Sequence, residues 1–482
     1  MYDMAPLSPR ETTQHITEIW QQRIVPRLID YIRIPAKSPQ FDPDWATRGH
    51  IDEAIALAED WCREQALAQM TVEVIRLEGR TPVLLIEIPG CGEGRVLLYG
   101  HLDKQPEMTG WDSDKGPWQP LLAGDRLYGR GGADDGYALF AALTALQVLQ
   151  EQRIAHSRCL ILIETCEESG SYDLPHYIDA LGERLGQPDL VICLDSGCGS
   201  YDRLWLTSSL RGLAAGELSV EILTEGVHSG DASGIAPCSF RLIRQLLARI
   251  EDADSGRILP DGLHAEIPTQ RREQARRAGE ILGERVFDRF PFVPGARPNT
   301  EDPTQLILNR TWRPALTVTG AEGLPALADA GNVLRPATAL RLSLRLPPTV
   351  AGETASALLR ELLETDAPYG SRVRFRTTQA TTGWNAPLQS GWLTTVVDQA
   401  SQDYFGQPAA YMGEGGSIPF MTMLGERFPA AQFLITGVLG PHANAHGPNE
   451  FLHLPTAQRL TACVASVIAG QYCQAASSVG SS

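Results

Sequence analysis

The sequence predicts an α/β fold, in which a domain with a largely parallel central sheet flanked by helices is interrupted by an inserted α+β domain. Three observations predict it. Continuous apolar segments alternate with helical patterns up to about residue 207. The pattern then changes to half-exposed strands, and buried-strand character returns at Phe433–Ile435. Continuous apolar strands separated by helices are typical of a parallel sheet covered on both faces.

Length and charge limit the possible classes of protein. A chain of 482 residues exceeds what one compact core usually organises, so two domains are expected. The apolar content of 43% and the charged content of 21% are ordinary for a globular protein. A net charge of -17 leaves no basic excess to neutralise phosphates or to dock on an anionic membrane. The sequence therefore argues against nucleic acid and membranes as partners.

Nine cysteines are scattered along the chain without a C-x-x-C pair, and several lie in apolar segments such as Cys159–Leu162. This pattern argues against a disulfide framework or a zinc ribbon. No segment approaches transmembrane length, and residues 1–14 lack the apolar core of a signal peptide. We therefore expect a cytoplasmic protein in a reducing compartment.

Helix and strand patterns follow in order along the first predicted domain. Apolar residues recur at helical spacing over Glu11–Ile34, and Pro35 closes that segment. A second helix carries leucines on one face from Leu139 to Leu149. Buried strands are predicted at Val96–Tyr99, Leu160–Ile163 and Leu190–Leu194.

The middle of the chain has a different pattern. Ala215–Leu223 and Ala339–Leu346 alternate like half-exposed strands, and a basic amphipathic helix is predicted over Arg271–Arg289 between them. The sequence therefore predicts a discontinuous first domain, residues 1–207 and 383–482, and an inserted domain over residues 208–382.

Polar clusters follow directly on the predicted apolar strands. The first contains His101 and Asp103, a spacing that suits a metal ligand oriented by a carboxylate, although such a pair alone is more often an ordinary loop. The second is the glycine-rich segment before Asp134 and Asp135. It lacks the lysine of a phosphate-binding loop, so an aspartate there is either a cation ligand or a helix cap.

Two further acidic clusters follow the next strands. Glu167 and Glu168 are adjacent, and such carboxylates repel each other unless a cation or a proton lies between them. A solvated acidic loop is the commoner origin of such a pair. Asp195 ends the following strand. Because open α/β sheets bind ligands at the carboxyl ends of their strands, four clusters in this position indicate one shared site. Histidine and carboxylate ligands suit zinc, or manganese less specifically.

Six motifs occur in a fixed order along the chain. They are H-L-D-K-Q-P from His101, G-W-D from Gly110, Y-G-R-G from Tyr128, E-E-S-G-S from Glu167, G-E-G-G-S-I-P from Gly413 and A-H-G-P-N-E from Ala445. Together they resemble the co-catalytic two-metal metallopeptidase family that includes carnosinase, cytosolic nonspecific dipeptidase, glutamate carboxypeptidase, aminoacylase, acetylornithine deacetylase and succinyl-diaminopimelate desuccinylase. The resemblance covers nearly the whole chain and is strongest for the carnosinase-like dipeptidases.

The resemblance implies two divalent metal ions per subunit, zinc in the first place, with manganese or cobalt as alternatives. Asp134 would bridge the two ions. His101 and Asp195 would complete one site, and Glu168 and His446 the other.

The resemblance also implies catalytic roles. Asp103 would orient His101, Glu167 would be the general base, and the peptide bond between Asp134 and Asp135 would be cis. The inserted domain would be a lid and dimerisation domain. Through it His228 would reach the partner's active site and help stabilise an oxyanion, which requires a homodimer. The implied substrate-binding residues are Asn332, Arg345, Glu414, Gly416 and Ser417.

Two features depart from the family pattern or leave a choice open. The family's D-D-K-G motif reads D-D-G-Y over Asp134–Tyr137 here, so Gly136 replaces the lysine. The packing around this position is therefore not predicted by the resemblance. His442 lies four residues before His446, and a helix would let both bind metal. The surrounding glycines, proline and asparagine indicate a loop, and only His446 precedes the G-P-N-E match.

The resemblance predicts a metal-dependent exopeptidase that hydrolyses the amide bond of dipeptides or small peptide-like substrates, through a water that bridges the metals. An N-acyl amino acid deacylase is the main alternative, because it would use the same metal site. A non-catalytic protein that binds an amino-acid derivative is more distant, since the base and all ligands are present. A two-metal phosphoesterase is disfavoured, because no Lys/Arg cluster accompanies the metal motifs.

Overall fold

The structure is a computed structural model that describes residues 7–479. These residues form two compact units. The first contains the described residues up to Thr207, Ala386–Met412 and the described residues from Met423 onward, and the second contains Ser208–Asn385 and Gly413–Thr422. The domain boundaries drawn from the sequence stay a prediction. The compact units differ from them in two places, because residues 383–385 and Gly413–Thr422 belong to the second unit.

The strands are labelled in chain order. They are β1 (Thr71–Ile75), β2 (Val83–Ile88), β3 (Arg95–His101), β4 (Leu121–Ala123), β5 (Arg126–Tyr128), β6 (Arg158–Glu164), β7 (Leu190–Cys193), β8 (Trp205–Leu210), β9 (Gly212–Glu221), β10 (Val227–His228), β11 (Ala315–Glu322), β12 (Val333–Leu334), β13 (Ala337–Leu346), β14 (Arg372–Thr381), β15 (Trp384–Asn385), β16 (Ala410–Glu414), β17 (Gln432–Ile435) and β18 (Phe451–His453).

The α-helices are labelled in the same way. They are α1 (Pro9–Ile19), α2 (Val25–Arg33), α3 (Trp45–Arg48), α4 (His50–Arg63), α5 (Tyr137–Glu151), α6 (Leu174–Ala180), α7 (Gly182–Leu185), α8 (Ser229–Ala232), α9 (Ser239–Leu247), α10 (Thr269–Leu282), α11 (Arg285–Asp288), α12 (Pro303–Thr311), α13 (Gly352–Glu364), α14 (Gly391–Phe405), α15 (Pro419–Arg427) and α16 (Leu454–Val479).

The first unit is built on a six-stranded sheet in the order β1-β2-β6-β3-β7-β17. β3 pairs in parallel with β6 and β7, and β17 pairs in parallel with β7. β1 and β2 form an antiparallel extension at one edge. Nearly every residue of β2, β3, β6 and β7 is buried, so both faces of the sheet are covered. The predicted α/β fold with a largely parallel central sheet is confirmed.

The second unit is built on an antiparallel sheet in the order β11-β13-β9-β14. Buried and half-exposed residues alternate along β9 and β13, as the sequence pattern predicts. The buried side chains of the sheet pack with apolar residues of α9 and α13 in a separate core. The inserted region is therefore α+β in composition.

Two predicted helices differ from the structure. The helix predicted over Arg271–Arg289 is wrong in extent, because α10 ends at Leu282 and Gly283 adopts a positive φ of 54° before the short α11. Glycine tolerates this left-handed conformation, which stops the helix. The helix predicted over Glu11–Ile34 contains a π-helical turn over Trp20–Ile24 between α1 and α2.

Candidate metal centre and active site

The central sheet carries imidazole and carboxylate side chains to one edge. His101 is the last residue of β3, the turn Glu167–Ser169 follows β6, and Asp195 lies just past β7. Because β3 is parallel to both β6 and β7, the carboxyl ends of these strands meet. Asp134 comes from the glycine-rich turn that precedes α5. The fold therefore brings together side chains that are far apart in sequence.

The carboxylate of Asp134 lies between two imidazoles. Its Oδ1 is 3.5 Å from Nε2 of His101, and its Oδ2 is 3.0 Å from Nε2 of His446. Nε2 of His101 is also 3.8 Å from Oδ2 of Asp195, and Nε2 of His446 is 3.4 Å from Oε2 of Glu168. All five residues for which metal binding is predicted thus lie in one cluster, with Asp134 at its centre.

The donor atoms of this cluster fit metal ions. Atoms of His101, Glu167 and Asp195 lie within 4.8 Å of one another, and so do atoms of His101, Asp134 and Glu168. Nε2 of His101 and Oε1 of Glu168 are buried without a hydrogen-bond partner among the described residues. Buried polar atoms normally have a partner. Imidazole nitrogens and carboxylate oxygens at this spacing are the ligands that divalent transition metals prefer.

Burial and crowding perturb the acids of the cluster. Burial, followed by the charges of neighbouring carboxylates, raises the pKa of Glu168 to about 8 and holds the pKa of Glu167 well above its usual value. Burial likewise raises the pKa of Asp195 to about 7. Burial also acts to raise the pKa of Asp134, but its two flanking imidazoles outweigh that effect and lower it. A bound cation would stabilise the charged form of each of these carboxylates.

Asp103 organises the turn after β6. Its Oδ1 accepts a hydrogen bond from the amide of Glu167 at 3.1 Å, and its Oδ2 accepts one from the amide of Glu168 at 3.0 Å. Nδ1 of His101 lies 3.0 Å from the main-chain oxygen of Asp103 and 3.5 Å from its carboxylate. The carboxylate of Asp103 therefore holds the main chain of Glu167 and Glu168, whereas its main-chain oxygen is the nearer partner of the His101 imidazole.

The peptide bond between Asp134 and Asp135 is cis, as the resemblance predicts. Of the two histidines considered near the C-terminal end, His446 lies in the cluster, and His442 is exposed on the same loop. Both residues have a positive φ, so the segment is a loop and not a helix that would align them.

The structure accounts for the missing family lysine. A Cβ atom on Gly136 would lie 2.1 Å from Cε1 of Tyr31 and 2.7 Å from the main-chain oxygen of Gly131, so no side chain fits there. The ammonium of Lys104 lies 3.8 Å from the centre of the Tyr31 ring. It donates to the main-chain oxygens of Tyr31 at 2.7 Å and Ile34 at 2.8 Å. Lys104 is fully buried, and its amino group donates to carbonyls at the end of α2.

Sequence reasoning assigned no role to Arg130 and Glu450, which form a buried ion pair at 2.6 Å. The second carboxylate oxygen of Glu450 accepts from the amide of Gly131 at 2.9 Å, and Arg130 donates to the main-chain oxygen of Gly447 at 2.8 Å. The pair therefore joins the loop of His446 to the glycine-rich turn of Asp134. Both residues occur in the motifs Y-G-R-G and G-P-N-E, but no local signal pairs positions 320 residues apart.

His228 and Asn332 lie side by side in the second unit. His228 pairs with Val333 across the β10–β12 ladder, and the amide of Ser229 donates to the main-chain oxygen of Asn332 at 2.9 Å. The His228 side chain is 66% exposed, and its Nδ1 accepts from the amide of Gly230 at 3.2 Å. In the neutral ring, the proton is therefore on Nε2.

The remaining predicted substrate residues also lie in the second unit. Arg211 is buried, and its amide donates to the main-chain oxygen of Gly416 at 3.0 Å, in the loop that carries Glu414 and Ser417. Burial lowers the pKa of Arg211 to about 9, with a further contribution from the charge of nearby Arg345. Arg345 pairs with Leu213 on β9, two residues after Arg211. Among the described residues, no hydrogen bond or ion pair joins His228 or Asn332 to the loop that contains Gly416.

The chain is similar to known proteins over most of its length. Residues 97–470 match the model of peptidase family M20/M25/M40. The chain is 30% identical over 370 residues to cysteinylglycine-S-conjugate dipeptidase of Corynebacterium striatum, covering 74% of this chain and 76% of that protein. It is 24% identical to mouse β-Ala-His dipeptidase over 380 residues, or 76% of this chain and 75% of that one. The crystal structure of human carnosine dipeptidase 1 superposes with a TM-score of 0.74 at 20% identity, covering 97% of this chain and 99% of that one.

Among residues 7–479 no helix combines the length and apolar character that crossing a membrane requires. The predicted enzyme class is confirmed by the family match and by the dipeptidase relatives. The chain belongs to peptidase family M20/M25/M40 and is a metallopeptidase of the dipeptidase type.

Proposed function

We propose that this enzyme hydrolyses dipeptides that have a free C-terminal carboxylate, and that cysteinylglycine-type and β-Ala-His-type peptides are the first to test. The cluster of two imidazoles and several carboxylates around Asp134 is the observation that carries the proposal. The names of the dipeptidase relatives indicate the substrate class.

We propose two divalent ions per subunit, zinc in the first place, with manganese or cobalt as alternatives. Asp134 would hold both ions, with His101 and Asp195 on one side and Glu168 and His446 on the other. When bound, such ions act as Lewis acids and lower the pKa of a coordinated water to about 7. The short distances from Asp134 to both imidazoles support this assignment.

Glu167 is the proposed general base. Its carboxylate groups with His101 and Asp195, whereas that of Glu168 groups with His101 and Asp134. The carboxylate of Asp103 accepts hydrogen bonds from the main-chain amides of both glutamates. Glu167 would accept a proton from the attacking water at its carboxylate oxygen and deliver it to the nitrogen of the leaving amine.

The proposed oxyanion donor is Nε2–H of His228, acting from the partner subunit of a homodimer. The hydrogen bond to its Nδ1 leaves Nε2 as the donor in the neutral ring. The 66% exposure of the side chain leaves it available to another chain. Ile235, Leu327 and Val333 are exposed apolar side chains of the same unit, at 85%, 95% and 40%, which supports an interface there.

Arg345 is the proposed partner of the substrate carboxylate, because its planar guanidinium suits bidentate binding. Arg211 holds the main chain at Gly416, and Glu414 lies 3.8 Å from the guanidinium of Arg310. The loop with Glu414, Gly416 and Ser417 would thus present its substrate-facing groups from a fixed backbone.

A cytoplasmic location is also proposed, because all nine cysteines are free thiols. The roles proposed for the catalytic residues do not depend on this location.

Glu167→Gln tests the mechanism with a panel of dipeptides and N-acetyl and N-succinyl amino acids. We expect kcat to fall by about a hundredfold or more with metal content unchanged, because general-base catalysis typically contributes 10²–10⁴-fold. The control is Glu183→Gln on the surface of α7, which should retain parental activity. Turnover of Glu167→Gln within a few-fold of the parent would refute the base assignment.

The same panel separates the alternatives. Chelation followed by readdition of zinc or manganese should restore dipeptide cleavage. Cleavage of N-acyl amino acids alone would identify a deacylase with the same proposed site. No cleavage of any substrate by fully metallated protein would favour a non-catalytic binding protein.

A further inference from the structure

The second unit contains a cavity of about 620 Å³ that none of the residues assigned above lines. It lies between the loop before α10, the first turn of α10, the side of α12 and the segment that follows α12. This volume is in the range of small-molecule sites, which is ~300–1,000 Å³. The cavity is therefore large enough for a ligand.

The lining of this cavity is cationic. Arg257, Arg272 and Arg313 line it, and no Asp or Glu is among its lining residues. Among the described residues, none of these three guanidinium groups forms an ion pair with a carboxylate. In a chain with a net charge of -17, three unneutralised arginines around one cavity require an explanation.

Neutral groups hold one of these arginines in place. Nη1 of Arg313 donates to Oδ1 of Asn309 at 2.7 Å, and Nη2 donates to Oε1 of Gln305 at 2.8 Å. These amide oxygens fix the guanidinium without cancelling its charge. Burial lowers the pKa of Arg313, and the charge of Arg272 lowers it further, so the two cations repel each other.

Apolar side chains also line the cavity. Ile258, Ile267 and Trp312 line it and are buried. A cavity lined by both apolar and cationic side chains suits a ligand with a short carbon skeleton and anionic ends, since guanidinium forks bind carboxylate and phosphate oxygens in pairs.

We propose that this cavity is a binding site for a small anionic metabolite that carries carboxylate or phosphate groups, with Arg272 and Arg313 as its principal ligands and Arg257 at its rim. An anion between Arg272 and Arg313 replaces their mutual repulsion with two charge-assisted interactions. The proposal does not depend on the peptide substrate assigned to the enzyme.

Isothermal titration of succinate and of inorganic phosphate into the metal-loaded protein tests the site, at constant ionic strength in a buffer without either anion. At least one anion should bind the parent protein with a Kd of about 1 mM or lower. Arg272→Gln and Arg313→Gln should each weaken that binding about tenfold or more, as expected for loss of one charge-assisted contact. Arg374→Gln removes an exposed arginine from β14 of the same unit and should leave the Kd unchanged.

The outcomes are distinct. Binding of succinate alone assigns the site to dicarboxylates, and binding of phosphate alone assigns it to phosphate esters. Binding that persists in both Arg272→Gln and Arg313→Gln would put the anion elsewhere, such as on the catalytic metals, and overturn the proposal. Lack of binding of either anion to the parent protein would overturn it as well. If Arg313→Gln is thermally destabilised, Arg272→Gln and the exposed Arg257→Gln decide the result.

Discussion

Gly136→Ala is a sharp test of how the turn beside the candidate metal centre is packed. The backbone of Gly136 has φ -53° and ψ -23°, a conformation that alanine adopts without strain. Elsewhere such a replacement stabilises a protein by about 0.4–1 kcal/mol, because it restricts the unfolded chain. Any loss of stability at this position must therefore come from steric contact.

The structure gives the size of that contact. The new Cβ would lie 2.1 Å from Cε1 of Tyr31, whereas carbon atoms pack at about 3.5–4.0 Å. The Tyr31 ring cannot easily retreat, because it is fully buried and its hydroxyl donates to the main-chain oxygen of Leu102 at 2.9 Å. The main-chain oxygen of Tyr31 is also bound by Lys104. We expect a loss near the upper end of the overpacking range, about 2–3 kcal/mol.

Urea denaturation of parent and variant measures this loss, with a matched control. Gly391→Ala, at the exposed first position of α14, adds a Cβ with no atom within 4 Å and should be neutral or slightly stabilising. The double variant Gly136→Ala/Tyr31→Leu should recover at least about 1 kcal/mol relative to additivity, because the ring edge is gone. Equal or greater stability of Gly136→Ala would refute the packing argument.

Three further predictions concern neighbouring features. Asp103→Asn should lower metal affinity and kcat/KM by about 10–100-fold, as measured by metal content and steady-state kinetics. The asparagine side chain has only one acceptor oxygen, so it cannot accept hydrogen bonds from the main-chain N–H groups of both Glu167 and Glu168. Lys104→Met should cost about 2–3 kcal/mol in urea denaturation, because it leaves buried carbonyls without a donor. Burial lowers the pKa of His156, so the unfolded state binds protons more readily, and the unfolding free energy should fall as the pH drops below about 6.5.

Each of these predictions has a control. Asp179→Asn, on the exposed side of α6, should change neither metal content nor kinetics. Lys37→Met breaks only a partly exposed ion pair and should lower the free energy of unfolding by less than about 1 kcal/mol. An equally small loss for Lys104→Met would contradict the stabilising role of the hydrogen bonds that Lys104 donates to buried carbonyls. His156→Gln should flatten part of the pH dependence of stability, and an unchanged slope would mean that other groups cause it.

The sequence predicts the central strands well for a physical reason. Both faces of the sheet are buried, as the successive residues Leu97 and Leu98 of β3 show, so each strand becomes a continuous apolar segment. Strand direction leaves no such trace. Val83–Ile88 has the same apolar character as its neighbours, yet it runs antiparallel to β6. The end of α10 depends on the backbone conformation of Gly283, which a helical pattern does not determine.

Contacts around the candidate site were partly predictable. Side chains at the carboxyl ends of strands, such as His101 at the end of β3 and Asp195 just past β7, are brought together by the parallel pairing of those strands. Lys104 lies in a polar motif, and its complete burial could not be predicted, because it depends on the carbonyls of α2 and on the ring of Tyr31. The pairing of Arg130 with Glu450 likewise depends on the tertiary fold alone.

The placement of β17 in the central sheet has a consequence for biosynthesis. Gln432 pairs with Leu190 on β7, so the sheet acquires its last strand only after the whole second unit has left the ribosome. Until then, β7 exposes an unpaired, apolar edge that can pair with other chains. His446 is translated later still. A nascent or truncated chain that stops before β17 and His446 should therefore aggregate readily, and it lacks one imidazole of the cluster. The yield of active enzyme should accordingly depend on chaperones and on the rate of translation.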